Sequence, residues 1–145
     1  MVEIRSLTPD LCKAAAELEK ACLSTAWSES QISDLIGKEN YQYVIAFGEG
    51  KVSGVGGVIC TEDSAEIFTV AVSPEHRKKG IGGRILSELI AFCKRTGTKS
   101  IFLEVEEGNE SAIALYSKFG FLQVGLRKGF YRGKNAIIME LELNH

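Results

Sequence analysis

Residues 70–87 read VAVSPEHRKKGIGGRILS, and this run constrains the fold more than any other stretch of the chain. An apolar, β-branched segment ends at Ser73-Pro74. Arg77-Lys78-Lys79-Gly80-Ile81-Gly82-Gly83-Arg84 follows, and an amphipathic helix opens straight out of the glycines. A strand feeding a glycine-rich turn at a helix start is a site for an anionic ligand. The first helical N–H groups have no partner inside the helix, and the helix dipole adds partial positive charge there. Glycine lets the backbone approach a phosphate with no Cβ in the way. Four basic side chains within residues 77–84 supply counter-charge.

The rest of the chain supports a mixed α/β domain. Val2 to Ser6 alternates as a strand. Thr8-Pro9-Asp10 has the N-cap, proline and acidic residue of a helix start, and that helix is expected to run to about Leu23. Ser28-Glu29-Ser30-Gln31 is a capping box for a second short helix that stops at Gly37. Tyr41 to Phe47 and Val52 to Thr61 flank Gly48-Glu49-Gly50-Lys51 as a hairpin. Ala65 to Val72 is apolar on both faces and reads as a central strand. A helix with one apolar side (Ile81, Ile85, Leu86, Leu89, Ile90, Phe92, Cys93) ends at Gly97. Ser100 to Glu106 is a strand, and Asn109 caps a helix that reaches Lys118 and stops at Gly120. Phe121 to Tyr131 and Asn135 to Leu143 form a last hairpin. The order is βααβββαβαββ, which fits a mixed sheet covered by helices.

A length of 145 residues implies one domain over 1–145, and 45% hydrophobic with 25% charged residues is ordinary globular composition. A net charge of −2 gives no overall footprint for nucleic acid. The charge is uneven: residues 76–84 are basic, whereas Glu62, Asp63, Glu66, Glu104, Glu106, Glu107 and Glu110 are acidic. No apolar run approaches ~18 residues, so no membrane partner is expected. The start, MVEIRSLTPD, lacks a signal-peptide core, which leads to a cytoplasmic expectation. Cys12, Cys22, Cys60 and Cys93 show no C-x-x-C spacing and are expected to pack as small apolar residues. With only His76 and His145 beside them, no metal site is expected.

The loop is neither a P-loop, G-x-x-x-x-G-K-[ST], nor a dinucleotide fingerprint, because the sixth position counted from Gly80 is Ile85. What remains is Arg-x-x-Gly-x-Gly-Gly over residues 77–83, which on its own could also be a basic surface turn that caps a helix. The pattern resembles the acetyl-CoA pyrophosphate loop of the GNAT N-acetyltransferase superfamily. Leu103 to Phe121 resembles the L-E-V…N…A-I-x-L-Y-x-x-x-G-F signature of the same family. Within it the chain is most similar to the RimI-type ribosomal-protein-alanine N-acetyltransferases. Ala26-Trp27-Ser28, Phe130-Tyr131 and Ala136-Ile137-Ile138-Met139 add to the likeness, which is strongest over residues 66–121. The resemblance implies an α/β (α+β) GNAT fold: a mixed, mostly antiparallel sheet of about seven strands with about four helices. The strands before and after the glycine loop would splay apart, with pantetheine in the cleft and acetyl-CoA as cosubstrate.

Acetyl transfer to an amine needs a neutral nucleophile, and an α-amino group titrates near ~8 while a lysine titrates near ~10.4. A base must take a proton, an acid must protonate the departing thiolate, and a donor must face the carbonyl oxygen. Glu104 shares a strand face with Phe102 and Glu106, opposite Ile101, Leu103 and Val105. By pattern alone it is either a partly desolvated base or a solvated strand carboxylate, and Glu106 and Glu107 compete with it. The resemblance makes Glu104 the proton acceptor, twelve residues before Tyr116. Tyr116 lies on a helical stripe with Ala112, Leu115 and Phe119 and could simply pack there. The resemblance makes it the acid toward the coenzyme thiolate. Asn109 reads as an N-cap, and the resemblance adds contact with the coenzyme arm.

For the cofactor, the resemblance implies backbone bonds from Val70, Ala71 and Val72 to pantetheine, as though it were an added strand. It implies pyrophosphate on Arg77, Lys78, Lys79, Gly80, Ile81, Gly82 and Gly83. Lys78, Lys79 and Arg84 are candidates for the adenosine 3′-phosphate, or form a solvated basic rim. Trp27 and Tyr131 fall where the family's substrate-binding loops sit, although Trp27 could equally serve the core. Ala26 stands where the family usually has proline, and Asn135 where an acidic residue is common.

The expected activity is acetyl-CoA-dependent acetylation of a protein α-amino terminus. The resemblance suggests a ribosomal protein with N-terminal alanine as acceptor. Direct attack in a ternary complex is expected, since no cysteine sits in a nucleophile motif. Two alternatives stay open: acetylation of a small amine or lysine side chain, and a non-catalytic acyl-CoA-binding module.

Overall fold

The computed structural model describes residues 2–23, 26–131 and 133–143. Its elements follow the expected order: β1 (Glu3–Ser6), α1 (Cys12–Cys22), α2 (Glu29–Ser33), β2 (Tyr41–Gly48), β3 (Lys51–Thr61), β4 (Ser64–Val72), α3 (Ile81–Arg95), β5 (Ser100–Glu106), α4 (Glu110–Lys118), β6 (Leu122–Tyr131) and β7 (Lys134–Glu142). Two helix boundaries differ: α2 ends at Ser33, short of the expected Gly37, and α1 starts later than expected. Thr8-Pro9-Asp10 does not open α1. Pro9–Leu11 forms a 3₁₀ turn, with Leu11 N–H donating to Thr8 O at 3.0 Å, and the α-helix begins at Cys12. The tighter i→i+3 bond takes the place of the side-chain cap expected from Thr8, which makes none.

The other local signals act as expected. Ser28 Oγ accepts from Gln31 N–H at 3.2 Å, and Gln31 Oε1 accepts from Ser28 N–H at 2.9 Å, closing the capping box. Asn109 Oδ1 accepts from Ala112 N–H at 3.3 Å at the start of α4.

The strands form one seven-stranded sheet in the order β1-β2-β3-β4-β5-β7-β6. Every neighbouring pair is antiparallel except β4 and β5, which run parallel. Their pairing runs only from Ser64↔Ser100 to Ile67↔Leu103, and beyond that rung the two strands part. The sheet therefore opens at its centre, between residues 68–72 and residues 104–106.

Two apolar layers cover the sheet. One holds α3 with Ile85, Leu86 and Leu89, together with Tyr116 of α4 and Phe121. The other holds α1 with Cys12, Ala15 and Leu18, and Ile32 of α2. A bulge in β4 switches which residues meet which layer. Thr69 pairs with Gly57 and Ile67 with Val58, which leaves Phe68 as the extra residue. Before it, Ala65 and Ile67 pack toward α3; after it, Val70 and Val72 do, while Phe68 and Ala71 join the α1 layer. Gly57 makes room for the bulge, because a Cβ there would lie 2.5 Å from Phe68 Cζ. Among the described residues no helix is long and apolar enough to cross a membrane.

Candidate active site

The parting of β4 and β5 creates a cavity of about 490 Å³. Phe68, Thr69 and Val70 of β4 form one wall, and Leu103 to Glu106 of β5 the other. Asn109, Ala112 and Tyr116 close it from the α4 side, Cys22 and Leu23 from the end of α1, and Lys134 from the β6–β7 hairpin. Glu104, Tyr116, Asn109 and Val70, separated in sequence, thus meet at one opening.

Glu104 alternates away from Ile101, Leu103 and Val105, which are buried on the α3 side. Its side chain is 19% exposed, and its Oε1 lies 2.9 Å from Arg127 Nε. Of its two competitors, Glu106 also lines the cavity. Glu107 does not, and its Oε1 instead accepts from Asn135 Nδ2 at 3.1 Å. Asn135 Oδ1 in turn accepts from Gly129 N–H at 3.2 Å, so this position ties the last hairpin to the end of β5. Tyr116 is buried, its ring edge-on to Phe121 at 5.9 Å.

The glycine loop lies at the far end of β4. Lys78 has φ +64° and Gly80 φ +80°; for Gly80 this left-handed geometry carries no Cβ penalty. No side chain caps α3 at Gly80, and a Cβ there would meet nothing within 4 Å. The N–H groups of Ile81, Gly82 and Gly83 open the helix with no acceptor inside it. The Ile81 side chain is buried in the core, so only its backbone is offered. Lys78 and Lys79 are exposed beside the loop. These features fit a diphosphate: open backbone donors, a glycine apex and exposed cations.

Other expected residues have different surroundings. Arg77 Nε donates to Val72 O at 3.0 Å, which engages the carbonyl of one strand residue expected to face pantetheine. Ala71 is buried toward α1. Arg84 Nη1 donates to Val2 O at 2.7 Å, on the β1 side of the molecule. Trp27 does not line the cavity. Its ring packs on Phe68, which does, with centroids 4.7 Å apart. Ala26 is exposed. The backbone of Tyr131 pairs with Lys134, and its side chain lies outside the described residues.

Pattern reading missed Arg127, Glu19, Cys22 and Lys134. Glu19 left a signal: it occupies the apolar stripe of α1 with Cys12, Ala15 and Cys22, where a carboxylate is out of place. Arg127 left none, because only the β5-β7-β6 neighbour order brings it near Glu104.

The acetyltransferase (GNAT) family matches residues 12–121. The ribosomal protein bS18-alanine N-acetyltransferase of Escherichia coli K12 is 29% identical over 148 residues, covering 99% of both chains. The N-alpha-acetyltransferase RimI of Mycobacterium tuberculosis is 33% identical over 141 residues, covering 93% of this chain and 87% of its own. Among solved structures, the ribosomal-protein-S18-alanine N-acetyltransferase of Escherichia coli superposes with a TM-score of 0.88 at 30% identity, over 100% of this chain and 96% of that one. Ard1 from Thermoplasma volcanium shares the fold, with a TM-score of 0.89 at 23% identity over 99% of both chains.

Proposed function

This chain belongs to the acetyltransferase (GNAT) family and is an acetyl-CoA-dependent N-acetyltransferase, and we propose that its acceptor is the α-amino terminus of a protein. A ribosomal protein with N-terminal alanine is the acceptor favoured by the relatives that act on bS18. A cytoplasmic location goes with this reading. The observation that carries it is the meeting of Glu104 and Tyr116 on two walls of one cavity, opened by the parting of β4 and β5.

In this reading the amides of Ile81, Gly82 and Gly83 would hold the diphosphate of acetyl-CoA, with Arg77, Lys78 and Lys79 nearby, and the Val70–Val72 backbone would lie beside the pantetheine arm. The thioester supplies an acetyl group activated toward amines. Glu104 accepts a proton from the incoming ammonium, directly or through water, and Glu106 adds negative charge that draws the cation in. Tyr116 holds a proton for the departing thiolate. Asn109 keeps its capping bond and faces the arm with its exposed side. Attack is direct, in a ternary complex.

Incubation with acetyl-CoA and short peptides varied at their first residues, read by mass, tests the proposal. Acetylation of the α-amine with alanine at the first position is the expected outcome. Modification confined to lysine side chains or spermidine would replace the acceptor, and tight coenzyme binding with no turnover on any amine would remove the catalytic reading.

A further inference from the structure

α1 carries a carboxylate that the acetyl-transfer chemistry does not use. Glu19 is fully buried beneath the sheet. Its Oε2 accepts from Tyr43 Oη at 2.5 Å, its Oε1 accepts from Trp27 N–H at 3.1 Å, and the Thr69 hydroxyl faces it as well. Its backbone carbonyl accepts from Leu23 N–H at 2.8 Å. Both sides of the α1–α2 connection, Leu23 and Trp27, are therefore fastened to one residue.

The first residue of that connection, Leu23, borders the cavity. Cys22 lines it too, as do Thr69 beside Glu19 and Phe68 beneath the Trp27 ring. Burying a carboxylate is costly, and an apolar residue would fill the stripe at less cost. What the carboxylate adds is direction, because it accepts two hydrogen bonds from fixed points and so sets where Trp27 re-enters.

The two faces of the sheet decide what this serves. The glycine loop opens α3, and α3 and α4 cover one face, whereas α1 and Trp27 lie on the other. With the coenzyme held from the α3 side, an amine attacking directly reaches it from the α1 side, through the gap between β4 and β5. We propose that Glu19 is a positioning residue for acceptor binding: its carboxylate holds Trp27, whose ring backs Phe68, the cavity-wall residue against which the acceptor rests. The inference depends on the cavity being the active site.

Trp27 is the only tryptophan in the chain, so its emission reports this packing directly. The test compares Glu19→Ala, Tyr43→Phe and wild type by steady-state kinetics with an alanine-start peptide, and by Trp27 emission. Glu19→Ala is expected to raise the acceptor KM by about tenfold, to leave the acetyl-CoA KM unchanged, and to shift Trp27 emission to the red. Tyr43→Phe, which removes one donor at nearly constant volume, is expected to move the acceptor KM the same way by about threefold. A folded Glu19→Ala protein with wild-type acceptor KM and emission overturns the proposal, as does a parallel rise in both KM values. Should Glu19→Ala not fold, Tyr43→Phe decides alone, and an unchanged acceptor KM overturns the proposal. Failure of the active-site reading shows separately, as full turnover in Glu104→Gln.

Discussion

Arg127 Nε sits 2.9 Å from Glu104 Oε1, linking the outermost strand of the sheet to the carboxylate on the cavity wall. Arg127 pairs in register with Ala136, which pairs with Glu106. A single methyl group on that rung leaves the guanidinium room to lean across β7. The Arg127 side chain is 55% exposed, so the pair contributes little to stability, and its consequence is the orientation of Glu104. Arg127→Gln should lower kcat by about three- to tenfold, with Arg127→Lys intermediate and coenzyme affinity unchanged. Wild-type turnover in Arg127→Gln would show that Glu104 needs no such hold.

Glu104→Gln and Tyr116→Phe each keep their shape and lose one proton-handling group. Turnover should fall by on the order of 10²-fold in each, while acetyl-CoA binding by calorimetry stays near wild type. Full activity in both would remove the assigned roles.

Burial holds the Glu19 carboxyl above the 4.5 of a free glutamate, against hydrogen bonds from Tyr43, the Trp27 amide and Thr69 that pull it down. A folded value above the unfolded one means that the native state keeps its proton longer. This group's stabilisation is complete below about 4.5 and is lost as pH rises through the folded value. The melting temperature of wild type should therefore fall relative to Glu19→Gln between acid and neutral pH. Parallel melting curves across that range would contradict the sign.

The thiols should separate by location. Burial pushes Cys93 up to about 12 and raises Cys12 as well, so both should resist iodoacetamide until the protein unfolds. Cys22 lines the cavity and should label in the native protein, more slowly once coenzyme A is bound. Equal labelling of Cys22 with and without coenzyme would place the ligand elsewhere.

Gly57→Ala would put a methyl group 2.5 Å from Phe68 Cζ. The ring must shift, at a cost of roughly 1–3 kcal/mol. Because Trp27 stacks on that ring, the thermal midpoint should drop and tryptophan emission should change together. A lower midpoint with unaltered emission would uncouple the bulge from Trp27.

Signals that act within a few residues could be read directly from the chain. The Ser28–Gln31 box, the Asn109 cap and the glycines ending α3 and α4 bond or turn within one helical turn. The alternation of Ile101, Leu103 and Val105 needs only the two-residue period of a strand. The order of elements and the glycine loop follow from such signals. The family's signature, which singles out Glu104 and Tyr116, could be read the same way. Thr8-Pro9-Asp10 shows the limit, because a 3₁₀ turn and an α-helix begin alike.

The features that turn those pieces into a site join residues far apart in sequence. β4 and β5 part after Ile67↔Leu103, Phe68 bulges over Gly57, Arg127 reaches Glu104 across β7, and Trp27 hangs on Glu19. Each depends on which strands become neighbours and in what register. That choice is made by burying two apolar layers at once, and no local run of residues encodes it.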